Sequence, residues 1–305
     1  MDAKRNYEEL RKIDSQDMFK ILKEFPAQVK EAVEIGRNAP SFREEPVSNE
    51  YIIAGMGGSA IGGDTLRSYA AALPGANHLK ISVNRTYRLP KSIDRNTNVI
   101  LSSYSGGTEE TLSAANEALS VTKRLICITT GGELGETADK NDFPKITIPG
   151  GMQPRCALGY SFFPMLYIFL NCGAFAGRAK EITEKSLEEL AALLQRRSEQ
   201  YSDWNNENNP ALKLAEDIYG TAPVVYSASE RMDTVNLRWR GQFHENAKNF
   251  AFGGFLPEMN HNEVNGWAYP SELKQKFSII LLRDPEDHPR SEEHTSELQS
   301  LLIIS

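Results

Sequence analysis

Tyr51-Ile52-Ile53-Ala54-Gly55-Met56-Gly57-Gly58-Ser59-Ala60-Ile61-Gly62-Gly63-Asp64 decides the fold class. Its first four residues form a continuous apolar run, the pattern of a strand covered on both faces. Glycines at 55, 57 and 58 permit a tight turn, and a helical stretch over 61–72 follows. Strand, tight turn and helix together make the first half of a βαβ unit. Further apolar runs fall at 80–83, 99–102, 124–129 and 145–148, with another helical stretch at 109–119. The alternation predicts an α/β fold: a doubly wound parallel sheet ending near Gly150.

Outward from that sheet, residues 15–37 read as one long helix, and 1–24 as polar helix rather than a signal segment. Pro149, Gly150, Gly151 and Pro154 break the chain before an apolar stretch at 160–175, a charged helix at 183–200 and a loop at 202–210. A second α/β pattern then begins, with a strand at 223–227, a helix at 230–248 and a strand at 276–282. A weaker strand candidate covers 249–252. The expected organisation is an N-terminal helical segment (1–40), a first α/β domain (41–158), connecting helices (159–205), a second, incomplete α/β domain (206–289) and a tail (290–305).

Composition narrows the classes of function. The chain has 305 residues, 34 Lys and Arg against 41 Asp and Glu, 40 % hydrophobic and 25 % charged residues, close to ordinary globular usage. A net charge of −7 argues against nucleic acid as the partner, since phosphate backbones attract basic faces. A cleft can still be locally positive and take a small anion. The longest apolar run, 162–170, is far below the ~18 residues of a membrane span and contains Pro164. Cys127, Cys156 and Cys172 form no CxxC pair and no metal-ligand spacing, which fits a reducing cytoplasm and no metal site.

Two turns carry the chemistry. The first, 55–59, opens a helix where free backbone N–H groups and the helix dipole favour an anion. Gly55, Gly57 and Ala60 also fit the dinucleotide fingerprint G-x-G-x-x-A. That fingerprint expects an acid at the end of the next strand, where Asn84-Arg85 stands, although an Arg would accept a 2′-phosphate. The second turn is Ser102-Ser103-Tyr104-Ser105-Gly106-Gly107-Thr108-Glu109-Glu110-Thr111. Ser103, Ser105 and Thr108 can surround one point beside exposed amides, which suits a phosphate monoester. Thr108 is also a candidate helix N-cap.

With Gly57-Gly58-Ser59, this turn resembles the sugar isomerase (SIS) superfamily. Gln153-Pro154-Arg155-Cys156-Ala157-Leu158-Gly159-Tyr160-Ser161, Glu245-Asn246-Ala247-Lys248 and Pro257-Glu258-Met259-Asn260-His261-Asn262-Glu263 resemble one branch of it, the bifunctional phosphoglucose/phosphomannose isomerases. The likeness covers roughly 17–290 and rests on five motifs in order. It implies two SIS domains and interconversion of glucose 6-phosphate and mannose 6-phosphate with fructose 6-phosphate, without metal or redox cofactor. It further implies Glu245 as the base, His261 as the ring-opening acid/base and Arg155 facing the enediolate. Gly58, Ser59, Ser103, Ser105 and Thr108 would hold the phosphate, and the histidine would come from the partner subunit of a cytoplasmic homodimer.

A lone Glu245 on a helix with Arg238 and Arg240, or a lone His261 in a polar turn, would otherwise read as surface residues. His244 has no matching role and reads as a packing or capping residue, while Glu258, Asn262 and Glu263 are candidates to position His261. The alternative function is a sugar-phosphate-binding SIS module without catalysis; an NADP-dependent oxidoreductase leaves the 103–108 turn unexplained. Family members continue past 290 to a helix bearing a catalytic lysine, whereas no Lys follows Lys276 here. The segment 290–300 resembles a translated sequencing adaptor, so the natural protein is expected to diverge from this chain at about Arg290.

Overall fold

The computed structural model describes residues 12–42, 48–229, 231–267, 271–289 and 303–304. The chain forms two compact units that meet in sequence at Asp203 and Trp204.

In the first unit, strands β1 (Glu50–Ala54), β2 (Lys80–Asn84), β3 (Asn98–Ser102), β4 (Leu125–Thr129) and β5 (Lys145–Thr147) form one sheet in the order β2-β1-β3-β4-β5. All four pairings are parallel. The predicted strands are present within a residue or two. Helices α1 (Met18–Lys23) and α2 (Phe25–Arg37) precede the sheet, and α3 (Gly57–Ala72), α4 (Glu109–Val121) and α5 (Gly132–Lys140) cross over between strands. Helices α6 (Leu158–Asn171) and α7 (Arg178–Ser202) follow it.

The continuous apolar runs are explained by burial on both faces. Tyr51, Ile53, Ile100 and Ile126 pack with Val29 and Ala32 of α2, Leu66 of α3 and Phe163, Leu166 and Phe169 of α6. Ile52, Val99, Leu101 and Cys127 face the other way, onto Ala114, Ala115 and Ala118 of α4 and Leu134 and Ala138 of α5. Each fully buried Ile or Leu contributes roughly 1.5–3 kcal/mol relative to exposure. Burial pushes the Cys127 thiol up to about 12, so it behaves as a core residue.

Two helix expectations need correction. The helix expected over 15–37 is broken at Glu24, because Pro26 occupies the first turn of α2, where its missing N–H costs nothing. Helix α3 starts at Gly57, four residues before the expected 61, so the glycine turn is itself the first helical turn.

In the second unit, α8 (Pro210–Asp217) leads into β6 (Ala222–Ala228), α9 (Asp233–Gln242), β7 (Phe252–Leu256), the short helices α10 (Glu258–His261), α11 (Glu263–Gly266) and α12 (Ser271–Lys274), then β8 (Phe277–Leu282) and β9 (Ile303–Ile304). The sheet order is β7-β6-β8-β9, with all pairings parallel. The helix expected over 230–248 ends as an α-helix at Gln242 and continues as a π-turn over Phe243–Ala247, closed by Lys248 in the left-handed region. The strand candidate at 249–252 overlaps β7 only at Phe252. A Cβ at Gly253 would collide with the Val225 carbonyl oxygen, so close strand contact requires the glycine that hides the strand from an apolar-run reading. Residues 290–302 and 305 of the expected tail lie outside the described residues; Ile303 and Ile304 pair with Ile279 and Ile280.

Among the described residues no helix is long and apolar enough to cross a membrane. In the first sheet the winding reverses between β1 and β3, the place where open α/β sheets bind ligands outside the carboxyl ends of their strands. Both candidate turns lie there.

Candidate active site

The turns after β1 and β3 are tied to each other. Ser59, 7 % exposed in the first turn of α3, accepts a hydrogen bond on Oγ from the Tyr104 N–H at 3.2 Å. A Cβ at Gly55 would lie 2.8 Å from the Ser102 carbonyl oxygen, which brings the first turn onto the end of β3. Within the second turn the Ser103 and Thr108 hydroxyls are 2.8 Å apart, and Ser103 Oγ also accepts the Gly106 N–H at 3.1 Å. Ser105 Oγ accepts the Gly107 N–H at 3.3 Å and is exposed. Thr108 holds the N-cap position of α4, yet its hydroxyl turns to Ser103 instead of bonding an α4 amide.

The Ser103 and Thr108 hydroxyls thus meet directly, and Ser59 binds the amide that follows Ser103, at the positive end of a 13-residue helix. Hydroxyls can donate to an oxyanion while accepting from the loop, which is what a phosphate cradle needs. The cradle rests on the turn after β4: the Gly106 carbonyl accepts from Leu134 N–H at 2.8 Å, and Gly106 sits at φ 72° against Gly131.

Arg155 lies in a 3₁₀ turn, Pro154–Cys156, between β5 and α6, and is half-buried. This turn packs on the first loop: a Cβ at Gly58 would lie 2.6 Å from the Pro154 carbonyl oxygen. Ser161 Oγ donates to the Gly58 carbonyl at 3.1 Å, and the Met152 N–H donates to the Tyr104 hydroxyl at 3.2 Å. The structure therefore brings Gly58, Ser59, Ser103, Thr108 and the Arg155 turn into one constellation within the first unit. Arg85, the residue that would accept a 2′-phosphate in a dinucleotide site, is paired through its guanidinium with Asp64 of α3.

The second unit carries the other two candidates. Glu245 sits exposed in the π-turn after α9, its carbonyl accepting from Lys248 Nζ at 2.6 Å. The neighbouring His244 ring is 2.9 Å from the Ala251 carbonyl through Nε2; a carbonyl only accepts, so Nε2 carries the proton and His244 braces the loop to β7. His261 ends α10 and is exposed.

Its flanking residues fix the backbone. Asn262 donates to Glu258 Oε1 at 3.0 Å, and its own Oδ1 accepts the Glu263 N–H at 2.6 Å, capping α11. Glu263 Oε2 accepts from the Tyr226 hydroxyl at 3.0 Å, and that hydroxyl accepts from Trp267 Nε1 at 3.0 Å. Burial, with the Glu263 carboxylate alongside, pushes the Tyr226 hydroxyl well above its ordinary range, so it stays a donor at any working pH. Tyr226 and Trp267 are parts of this support that the sequence reading did not single out. An aromatic hydroxyl inside an apolar strand run was the signal for Tyr226; Trp267 had none.

Residues 207–302 match the bacterial phospho-glucose isomerase C-terminal SIS domain family. The chain is 39 % identical over 275 residues to a bifunctional phosphoglucose/phosphomannose isomerase of Caldicellulosiruptor bescii, covering 90 % of this chain and 79 % of that one. A protein of the same description from Thermoplasma acidophilum is 37 % identical over 243 residues, 79 % of this chain and 69 % of the relative. Among solved structures, the C-terminal domain of glucosamine-fructose-6-phosphate aminotransferase from Francisella tularensis superposes with a TM-score of 0.66 at 14 % identity, covering 92 % of this chain and 79 % of that one, a likeness of fold.

Proposed function

The chain belongs to the bifunctional phosphoglucose/phosphomannose isomerases of the SIS superfamily, and from that membership we propose a division of labour among its candidate residues. The protein is an aldose–ketose isomerase interconverting glucose 6-phosphate and mannose 6-phosphate with fructose 6-phosphate. In our reading Gly58, Ser59, Ser103, Ser105 and Thr108 hold the 6-phosphate. His261 opens the ring by moving a proton from the anomeric hydroxyl to the ring oxygen. Glu245 then removes the C2 proton of the aldose, exchanges it in part with solvent and delivers a proton to C1, while the O2 hydroxyl proton passes to O1, through an enediolate whose developing negative oxygen faces Arg155. Return of the proton to C2 on one face or the other gives glucose or mannose 6-phosphate, and rotation about C2–C3 selects the face.

The observation that carries the reading is the Ser59–Tyr104 bond, which joins two loops into one hydroxyl cradle against which the Arg155 turn is packed. Family resemblance supports the rest. His261 of the partner subunit completes each site, the working unit is a homodimer, and the enzyme serves glycolysis and gluconeogenesis in the cytoplasm. Glu245 and His261 favour an enzyme over a binding module, which needs no proton-transfer group. Among the described residues no cluster of His, Cys, Asp and Glu could hold a metal, and the chemistry proposed uses none.

The cradle is tested by Ser103→Ala combined with Thr108→Val. Each hydrogen bond to a charged group is worth about 1.5–3 kcal/mol. With two such bonds removed, the double variant is expected to raise KM for fructose 6-phosphate by at least about 100-fold while kcat falls far less. An unchanged KM would place the phosphate elsewhere.

A further inference from the structure

We propose that Gln28 of α2 is a positioning residue for Arg155, an inference that rests on the role assigned to Arg155 above. Gln28 lies on the buried face of α2 with Val29, Ala32 and Gly36 and is 6 % exposed. A polar side chain there must satisfy its hydrogen bonds inside the protein. All of those found go to one short segment. Oε1 accepts the Gly159 N–H at 2.9 Å, and Nε2 donates to the Cys156 carbonyl at 3.0 Å and to Met152 Sδ at 3.4 Å.

These three partners bracket Arg155 on both sides. The carboxamide holds the exit of the 3₁₀ turn at Cys156, the start of α6 at Gly159 and the approach at Met152. It also takes the Gly159 N–H, one of the amides a helix start leaves without an intrahelical partner. A Cβ at Gly159 would stand 2.7 Å from Gln28 Oε1, so the segment fits the carboxamide closely. Two other groups fix the opposite side of the turn: Ser161 on the Gly58 carbonyl and Tyr104 on the Met152 amide. Gln28 is thus the anchor from the α2 side that holds the guanidinium-bearing turn in register with the cradle. A displacement of about 1 Å at such a group can cost on the order of 100-fold in rate.

A second α2–α6 bond gives an internal control. The Tyr160 hydroxyl donates to Glu31 Oε2 at 2.5 Å, joining the same two helices without touching the Arg155 turn. If Gln28 only glued helices together, loss of either bond would act alike.

The test is a double-mutant cycle on the full chain, read as kcat and KM for fructose 6-phosphate and as affinity for glucitol 6-phosphate, an open-chain analogue that cannot isomerise. Gln28→Met and Gln28→Glu are made alone and in an Arg155→Met background, with Tyr160→Phe as control. Gln28→Met is expected to lower kcat by about 10- to 100-fold, to leave analogue affinity within about threefold, and to cost nothing further when Arg155 is already Met. Gln28→Glu keeps an acceptor for Gly159 N–H, is expected to fall between wild type and Gln28→Met, and carries the cycle should the Met variant not fold. Tyr160→Phe retains wild-type kcat. Effects that multiply in the double variant, or a Tyr160→Phe loss equal to that of Gln28→Met, would overturn the positioning role. If Arg155→Met itself keeps wild-type kcat, it is the assignment of Arg155 that fails.

Discussion

Glutamine in place of Glu245 lowers kcat for fructose 6-phosphate isomerisation by about 1,000-fold, with KM changed by less than about threefold. A positioned general base is worth about 100- to 10,000-fold, and an amide of the same shape cannot take up the C2 proton. The substitution is isosteric and falls at an exposed position in the π-turn, so its effect on stability is expected to be small. KM is expected to stay near its value because the phosphate cradle we propose is built from other residues, in the first unit. Initial rates in both directions, with circular dichroism as the folding control, check this. A variant retaining a tenth or more of wild-type kcat would move the proton transfer to another group.

The second large effect is structural. Alanine at Gly106 destabilises the first unit by several kcal/mol, lowers its melting temperature by roughly 10 °C and weakens sugar-phosphate binding at least tenfold, on the scale of ~1–2 kcal/mol for a left-handed residue plus an added clash. Gly106 has φ 72°, and a Cβ there would drive into the Gly131 carbonyl oxygen. Its own amide and carbonyl bond Ser103 Oγ and the Leu134 N–H, so any shift to relieve the clash opens the cradle from below. Gly107 next door is the contrast, since a Cβ there meets nothing within 4 Å. Alanine at 107 is expected to change the melting temperature by less than about 1 °C. Calorimetry on both variants distinguishes this account from one in which the two glycines are equivalent.

These effects also mark what could be read in the sequence. β1, β3 and β4 were legible because burial on both faces imposes an unbroken apolar run, as in 51–54 and 125–128, whereas the edge strand β2 keeps Lys80 and Ser82 toward solvent. The cradle was legible because its chemistry requires glycines and hydroxyls together at strand ends. β7 was displaced in the reading because Gly253 and Gly254 dilute its apolar signal while allowing the close approach to β6. Gly241 stands just before the end of α9 at Gln242, but the π-turn continues the winding past it and hides the boundary.

Gln28 was out of reach for a different reason. Its partners stand more than 120 residues away, and a glutamine in a mixed helix reads as a solvent residue until its burial is known. Glu245 and His261 carry no local signature beyond their motifs. Both are exposed within their own unit, and family resemblance alone singled them out.

The mechanism proposed turns on proton transfer at C2 by Glu245. It is tested most directly by incubating the purified protein with fructose 6-phosphate in heavy water and following the sugar protons by NMR. The account predicts newly formed glucose 6-phosphate and mannose 6-phosphate carrying deuterium at C2, and loss of both products with Glu245→Gln. Equal product formation or equal deuterium incorporation by the Glu245→Gln variant would contradict it.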